Sequence, residues 1–181
     1  MAKNVLYFGY WANSRLEMMA AITGNDNLKG IPATLPSYEL CVQRLDQIPD
    51  TIFPGAPIEI SPRRIIASEW LETFRSYTIR QSTSGDKAVA GMIWELTPLE
   101  RDLVCDWELI DFGWYQDIEA VAVTEYGEDI LVVTEGLRPG QEIDKVVDGL
   151  TYPPFLNSLE DFARIAEKAR REFFERMELE Q

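Results

Sequence analysis

The start of the chain decides the fold through the segment Val5-Leu6-Tyr7-Phe8-Gly9-Tyr10-Trp11-Ala12-Asn13-Ser14. Its apolar and aromatic part, up to Tyr10, is typical of a buried strand. Ser14 and Glu17 have the spacing of a capping box, and Gly24 is a helix stop, which together predict a helix after the strand. A strand that turns tightly into a helix presents backbone N–H groups above the strand end. This first turn is therefore a candidate site for an anion or a polarised carbonyl.

The rest of the pattern contains more strands than helices. Apolar periodicity and turn residues predict strands over 33–45, 75–82, 88–96, 115–124 and 129–135, and helices over 62–74, 97–107 and from Ser158 onward. Residues 136–154 are predicted to be a loop. Most neighbouring strands have hairpin spacing, which favours the α+β class, with a mixed, curved or barrel-like β-sheet, flanking helices and a long C-terminal helix. We expect one domain over 1–181, with 157–180 as a C-terminal helical extension.

Composition excludes several classes of partner. The 181 residues contain 17 Lys and Arg against 31 Asp and Glu, for a formal net charge of −14. This charge repels phosphate backbones and anionic lipids, so neither nucleic acid nor a membrane is an expected partner. No run of about 18 apolar residues predicts a membrane span, and the start lacks a secretory pattern. Cys41 and Cys105 are expected to be buried free thiols, which favours a cytoplasmic location.

The absence of histidine restricts the chemistry. It excludes Ser-His and Cys-His nucleophile pairs and histidine-bound metals, and no phosphate-binding or dinucleotide-binding glycine motif is present. We expect no metal and no cofactor. Catalysis would depend on carboxylates, hydroxyls, lysines or backbone amides.

Glu108 differs from the other acids of the stretch between residues 100 and 111. Most of these acids fit a solvated helix face, whereas Glu108 follows Trp107 and precedes Leu109 and Ile110. Apolar neighbours disfavour the charged form of a carboxyl group and raise its pKa toward the range useful for proton transfer. The alternative is a glutamate buried for structural hydrogen bonds.

Several blocks in order resemble the γ-glutamylcyclotransferase-like superfamily, across residues 5–152. In that family a first strand ends in a Tyr-Gly-Ser-Asn type loop, as Tyr10-Trp11-Ala12-Asn13 does here with two changes. Later blocks also match: Ile22-Thr23-Gly24, Ala33-Thr34-Leu35-Pro36-Ser37-Tyr38-Glu39-Leu40, Gly91-Met92-Ile93-Trp94-Glu95-Leu96-Thr97 for the Gly-x-Val-Tyr-x-Leu strand, and Val104-Cys105-Asp106-Trp107-Glu108 for Leu-Asp-x-x-Glu. Tyr115 falls near the position of a family tyrosine.

The resemblance implies a transferase or lyase that acts on a small γ-glutamyl compound. The substrate's α-amine would attack its own γ-carbonyl, releasing 5-oxoproline and an amine or amino acid. Glu108 would be the catalytic residue, and the substrate-binding residues would be Tyr10, Trp11, Ala12, Asn13 and Tyr115.

Two departures keep an alternative open. Trp11-Ala12 replaces the family's Gly-Ser, and Val104-Cys105 replaces its Leu-Asp. The alternative is a catalytically altered binding or accessory domain whose pocket is reshaped by Trp11, and an indole filling the cavity beside Glu108 would favour it. A third hypothesis keeps the enzyme but takes a γ-glutamylated amine or a carrier-bound intermediate, with the acidic surface suiting a cationic leaving group.

Overall fold

The computed structural model describes residues 3–154 and 157–179. Its strands are β1 Val5–Tyr10, β2 Gly30–Pro36, β3 Tyr38–Arg44, β4 Arg75–Gln81, β5 Ala88–Leu96, β6 Tyr115–Thr124, β7 Asp129–Leu137 and β8 Lys145–Val147. Its α-helices are α1 Leu16–Thr23, α2 Pro62–Glu69, α3 Pro98–Trp107 and α4 Leu159–Leu179, with 3₁₀ turns at Trp11–Ser14 and Leu45–Gln47. Among these described residues, no helix is long and apolar enough to cross a membrane.

Five strands close into a mixed barrel, and three form a second sheet. The barrel order is β1-β5-β2-β6-β7, in which only β1 and β7 pair in parallel. The second sheet has the order β4-β3-β8, and β4 packs against β7. The α+β class with a barrel-like mixed sheet and a long C-terminal helix is thus confirmed. The barrel and the helices packed on it bury Tyr7, Phe8, Leu35, Ile93 and Leu96 completely or almost so.

The single strand predicted over 33–45 is wrong, because the chain breaks at Ser37. Ser37 has a φ of 64°, which turns the backbone sharply between β2 in the barrel and β3 in the second sheet. Its N–H donates to Lys87 O and its carbonyl accepts from Ser82 N–H, both at 2.8 Å. As the central strand of its sheet, β3 is buried at almost every position instead of being half-exposed.

Helix α1 is present and ends at Gly24 as expected, but the predicted capping box is wrong. The chain first makes a 3₁₀ turn, and α1 begins at Leu16 after Arg15, which makes no side-chain cap. The hydroxyl of Ser14 donates instead to Trp11 O at 2.7 Å. Because this hydrogen bond lies within the 3₁₀ turn, the Ser14 hydroxyl does not cap α1.

The capping box at Thr97 is confirmed and determines where α3 starts. Thr97 Oγ1 accepts from the Glu100 N–H, and Glu100 Oε2 accepts from the Thr97 N–H. The helix ends at Trp107, so Glu108 is its C-terminal cap. Leu109 then takes a φ of 51°, and the chain leaves the helix axis there.

The last part of the chain contains one strand that the sequence did not predict. Short strand β8 pairs with β3 inside the supposed loop 136–154. Helix α4 follows, and Arg170 on it donates to the carbonyls of Ala20 and Ala21 at the end of α1. Helix α4 therefore packs on the same body as α1. Cys41 and Cys105 are both free thiols.

Candidate active site

A cavity of about 270 Å³ opens where the end of β1 meets the end of α3, with β4, α2 and α4 around it. Five of the six residues that the sequence singled out line it, namely Tyr10, Trp11, Ala12, Asn13 and Glu108. Tyr115, the sixth, does not. It is 1 % exposed, and its hydroxyl shares a 2.6 Å hydrogen bond with Ser76, which does line the cavity. Tyr115 thus lies one residue behind the cavity wall.

Glu108 is held on the cavity wall by Asn13. Asn13 Nδ2 donates to Glu108 Oε1 at 2.7 Å. Burial raises the pKa of the Glu108 carboxyl from 4.5 to about 7, although the Asn13 hydrogen bond and the charge of Arg101 oppose the shift. A carboxyl group with this pKa is suited to accept and return a proton near neutral pH.

Asn13 is itself fixed by the barrel. Its backbone carbonyl accepts a hydrogen bond from Trp94 Nε1 at 2.9 Å, and it is 3 % exposed. Gly9 makes this approach possible, because a Cβ atom there would lie 2.4 Å from Asn13 O. The turn after β1 therefore packs directly on the strand, and the Asn13 amide has little freedom to leave Glu108.

A second carboxyl group is connected to the first through two side chains. Asn13 Nδ2 also donates to the Tyr7 hydroxyl at 2.8 Å, and Tyr7 donates to Glu135 Oε1 at 2.9 Å. Glu135 is 1 % exposed and lines the same cavity. Burial, and then the nearby Glu108 charge, raise the pKa of Glu135 well above its usual range, while Arg101 acts in the opposite direction.

Sequence reasoning missed Tyr7, Arg101 and Glu135. Along β7 the buried Val132 and Thr134 alternate with Glu135, so a period of two predicts that Glu135 is exposed. Tyr7 and Tyr10 of β1 and Arg101 of α3 surround Glu135 in place of solvent, and no local pattern reports that. Arg101 is 7 % exposed, pairs with Asp117 and lies over the Tyr7 ring at 5.2 Å.

Trp11 does not fill the cavity. It has a φ of 51°, and its indole stacks on Tyr77 with ring centroids 3.8 Å apart and an interplanar angle of 20°. Tyr152 packs edge-on against the same indole at 5.3 Å. The ring is thus held by residues of the second sheet and of the loop before α4, and open space remains beside Glu108.

Much of the cavity wall is apolar and aromatic. Trp70 lies between Phe74 and Phe162, at centroid distances of 5.4 and 4.6 Å, and all three rings line the cavity. Charged residues around them are paired across elements. Lys168 of α4 binds Glu69 of α2, and Arg176 of α4 binds Asp106 of α3.

The described part of the chain contains no cluster of three or more metal-binding side chains. The chemistry that these residues offer is proton transfer between carboxyl groups and a ligand in a mostly apolar cavity.

Comparison with known proteins identifies the class of fold. No family model matches the sequence, and no curated protein matches it. Among solved structures, an uncharacterized protein from Homo sapiens matches with a TM-score of 0.56 at 21 % identity, over 78 % of this chain and 70 % of that one. A structure named gamma-glutamyl cyclotransferase matches with a TM-score of 0.56 at 19 % identity, with the same coverage. The chain has a γ-glutamylcyclotransferase-like fold.

Proposed function

We propose that this protein cleaves γ-glutamyl amides by cyclisation, releasing 5-oxoproline and an amine. The observation that supports this most directly is the Glu108 carboxyl group, which lines an open cavity, is fixed by Asn13 and has a pKa of about 7. The fold shared with a gamma-glutamyl cyclotransferase agrees with the proposal.

The protons balance with Glu108 as the only exchanging group. Glu108 takes a proton from the substrate's α-ammonium, and the amine nitrogen then attacks the γ-carbonyl carbon. A C–N bond forms in the ring, the bond to the leaving nitrogen breaks, and Glu108 returns the proton to that nitrogen. A second proton follows the same route, so the lactam keeps one hydrogen, the released amine becomes an ammonium ion, and Glu108 ends as it began.

Intramolecular attack explains why so few groups would suffice. Effective molarities for well-oriented reactions of this kind reach about 10⁵ to 10⁸ M, so the protein mainly has to fold the substrate and handle protons. This is consistent with a chain that contains no histidine.

The turn after β1 would hold the polar end of the substrate. Backbone N–H groups there can stabilise a carboxylate or a developing oxyanion. The hydroxyl of Tyr152 already hydrogen-bonds the backbone at Trp11, which lowers the pKa of that phenol against the larger effect of burial. Within the 3₁₀ turn the N–H of Asn13, the third residue, already donates back along the turn, whereas that of Ala12 does not. We therefore assign the substrate's polar group to the amide of Ala12.

The position of Trp11 disfavours the alternative of an inactive binding or accessory domain. That alternative expects the indole to fill the space beside Glu108, whereas the indole stacks on Tyr77 and the space is open. The altered loop residue thus changes what supports the turn, and the cavity stays available to a ligand.

The aromatic part of the cavity wall favours an apolar leaving group over a cationic one. Three aromatic rings would contact the amine portion of the substrate. The three acids of this part of the wall are already paired: Lys168 binds both Glu69 and Glu172, and Arg176 binds Asp106. A cationic amine would lose hydration there without gaining an unpaired carboxylate, whereas an aromatic or branched alkyl amine would bury apolar surface.

The proposal is tested by incubating the protein with a panel of γ-glutamyl amides and measuring 5-oxoproline. We expect turnover by the wild type and its loss in Glu108→Gln. The matched control is Glu119→Gln, since Glu119 is exposed on β6 and does not line the cavity. No 5-oxoproline from any member of the panel would refute the activity.

A further inference from the structure

Glu135 is a buried carboxyl group with one oxygen that nothing in the described part of the chain satisfies. Its Oε1 accepts from Tyr7, whereas Oε2 is buried and has no hydrogen-bond partner there. Arg101, whose charge acts on Glu135, forms its ion pair with Asp117. A carboxylate ion buried in this way is far more costly than a neutral carboxylic acid in the same place.

The direction of the hydrogen bonds determines where a proton on Glu135 would be. The Asn13 Nδ2 group can only donate, and it does so to Glu108 and to the Tyr7 oxygen. Tyr7, having accepted there, directs its own hydrogen to Glu135 Oε1. The proton of a neutral Glu135 therefore lies on Oε2, the oxygen without a partner.

We propose that Glu135 is a neutral carboxylic acid whose Oε2–H donates a hydrogen bond to an uncharged oxygen of the ligand, the carbonyl oxygen of the scissile amide. Resting on the proposed function, this assigns two carboxyl groups to two roles in one cavity. Glu108 faces the cationic nitrogen and accepts its proton, while Glu135 stabilises the negative charge that develops on the carbonyl oxygen. The ligand class that fits both is an ammonium group close to a neutral carbonyl.

The groups around Glu135 allow one competing arrangement. Tyr7, Tyr10 and Tyr115 are neutral phenols whose pKa values burial raises, and Glu108 is the nearby acid. The positive charge of Arg101 opposes the shift at Glu135, and the buried Nη1 of Arg101 has no partner among the described residues. The competing arrangement is an ionised Glu135 that is stabilised by Arg101.

Infrared spectroscopy tests the protonation state without any substrate. The difference spectrum of wild type minus Glu135→Gln is recorded about one pH unit above the Glu108 pKa, so that Glu108 is mostly ionised. We expect the C=O band of a neutral carboxylic acid in the wild type. Carboxylate bands in its place would overturn the proposal. Should the variant not fold, the wild-type spectrum at this pH decides the question by whether it contains the acid band.

Two isosteric substitutions test the hydrogen bond to the ligand. In Glu135→Gln the amide oxygen accepts from Tyr7 and the NH₂ group donates into the cavity, as a neutral acid would. Glu135→Met has a similar shape and no donor. We expect Glu135→Met to lower kcat about 10² to 10³-fold, as the loss of an oxyanion donor does. The kcat of Glu135→Gln should remain at least about tenfold above that of Glu135→Met. Equal losses in the two variants would overturn the proposal, because an essential carboxylate ion predicts them.

The two readouts separate this inference from the proposed activity. If no γ-glutamyl amide is turned over, the cyclisation fails, and the infrared band alone still decides whether Glu135 is a neutral acid. If turnover occurs and the band is absent, the activity stands and the role of Glu135 is wrong. Glu119→Gln is the matched control for both measurements.

Discussion

Asn13 Nδ2 lies 2.7 Å from Glu108 Oε1, although 95 positions separate the two residues in the sequence. One comes from the turn after β1 and the other from the cap of α3, and the barrel brings them together. The hydrogen bond favours the ionised form of Glu108, whereas burial favours the neutral form, and burial is the larger effect. The balance between them places the pKa near neutrality.

Asn13→Ala should move this balance toward the neutral acid. With the amide removed, the pKa of Glu108 rises above its value of about 7, because the opposing hydrogen bond is lost. A hydrogen bond to a charged group is worth about 1.5 to 3 kcal/mol, so the acidic limb of the kcat/KM profile should shift upward by about 1 to 2 pH units. An unshifted limb in a folded variant would show that Asn13 does not act on the catalytic carboxyl group.

Stability should fall as pH rises through the range in which Glu108 titrates. Its folded pKa of about 7 exceeds the unfolded 4.5, so the native state holds more protons between these values. Stability is therefore fully present below about pH 4.5 and is lost toward pH 7, by at most about 3 kcal/mol. Urea unfolding at several pH values measures this loss. Glu108→Gln should remove this part of the loss, while the part due to Glu135, whose pKa burial also raises, remains. A profile unchanged by the substitution would contradict the assignment.

Trp11→Gly exchanges a packing contact for backbone freedom. The substitution removes the stack on Tyr77 and relieves the positive φ, which glycine adopts readily. Truncating a buried aromatic side chain costs about 3 to 5 kcal/mol and the relief returns about 1, so a net loss of about 2 to 4 kcal/mol is expected. Denaturant unfolding checks this value. A variant as stable as the wild type would mean that the indole contributes no packing energy to the turn.

Trp70→Ala should discriminate between leaving groups. Since Trp70 contributes apolar surface to the cavity and no group that exchanges protons, its loss should raise KM for an aromatic γ-glutamyl amide about tenfold or more and change kcat little. For γ-glutamyl methylamide, KM should change far less because the small amine does not reach the rings. Equal effects on both substrates would place the leaving group elsewhere in the cavity.

Much of the fold could be predicted because its elements are specified locally. The strand before the first turn, the capping box at Thr97, the hairpin of β6 and β7 and the long C-terminal helix all follow from neighbouring residues. Glu108 could be singled out for the same reason, because its apolar neighbours in sequence are also its surroundings in space.

Only the tertiary structure decided the features that depend on distant contacts. Ser37 divides a predicted strand between two sheets, and Tyr115 ends up behind Ser76. Tyr7 meets Glu135 across 128 positions of sequence. By itself the sequence determined a barrel-like α+β fold and one carboxyl group in apolar company. The second carboxyl group became visible only in the folded chain, because the side chains that surround Glu135 come from β1 and α3, far from it in sequence.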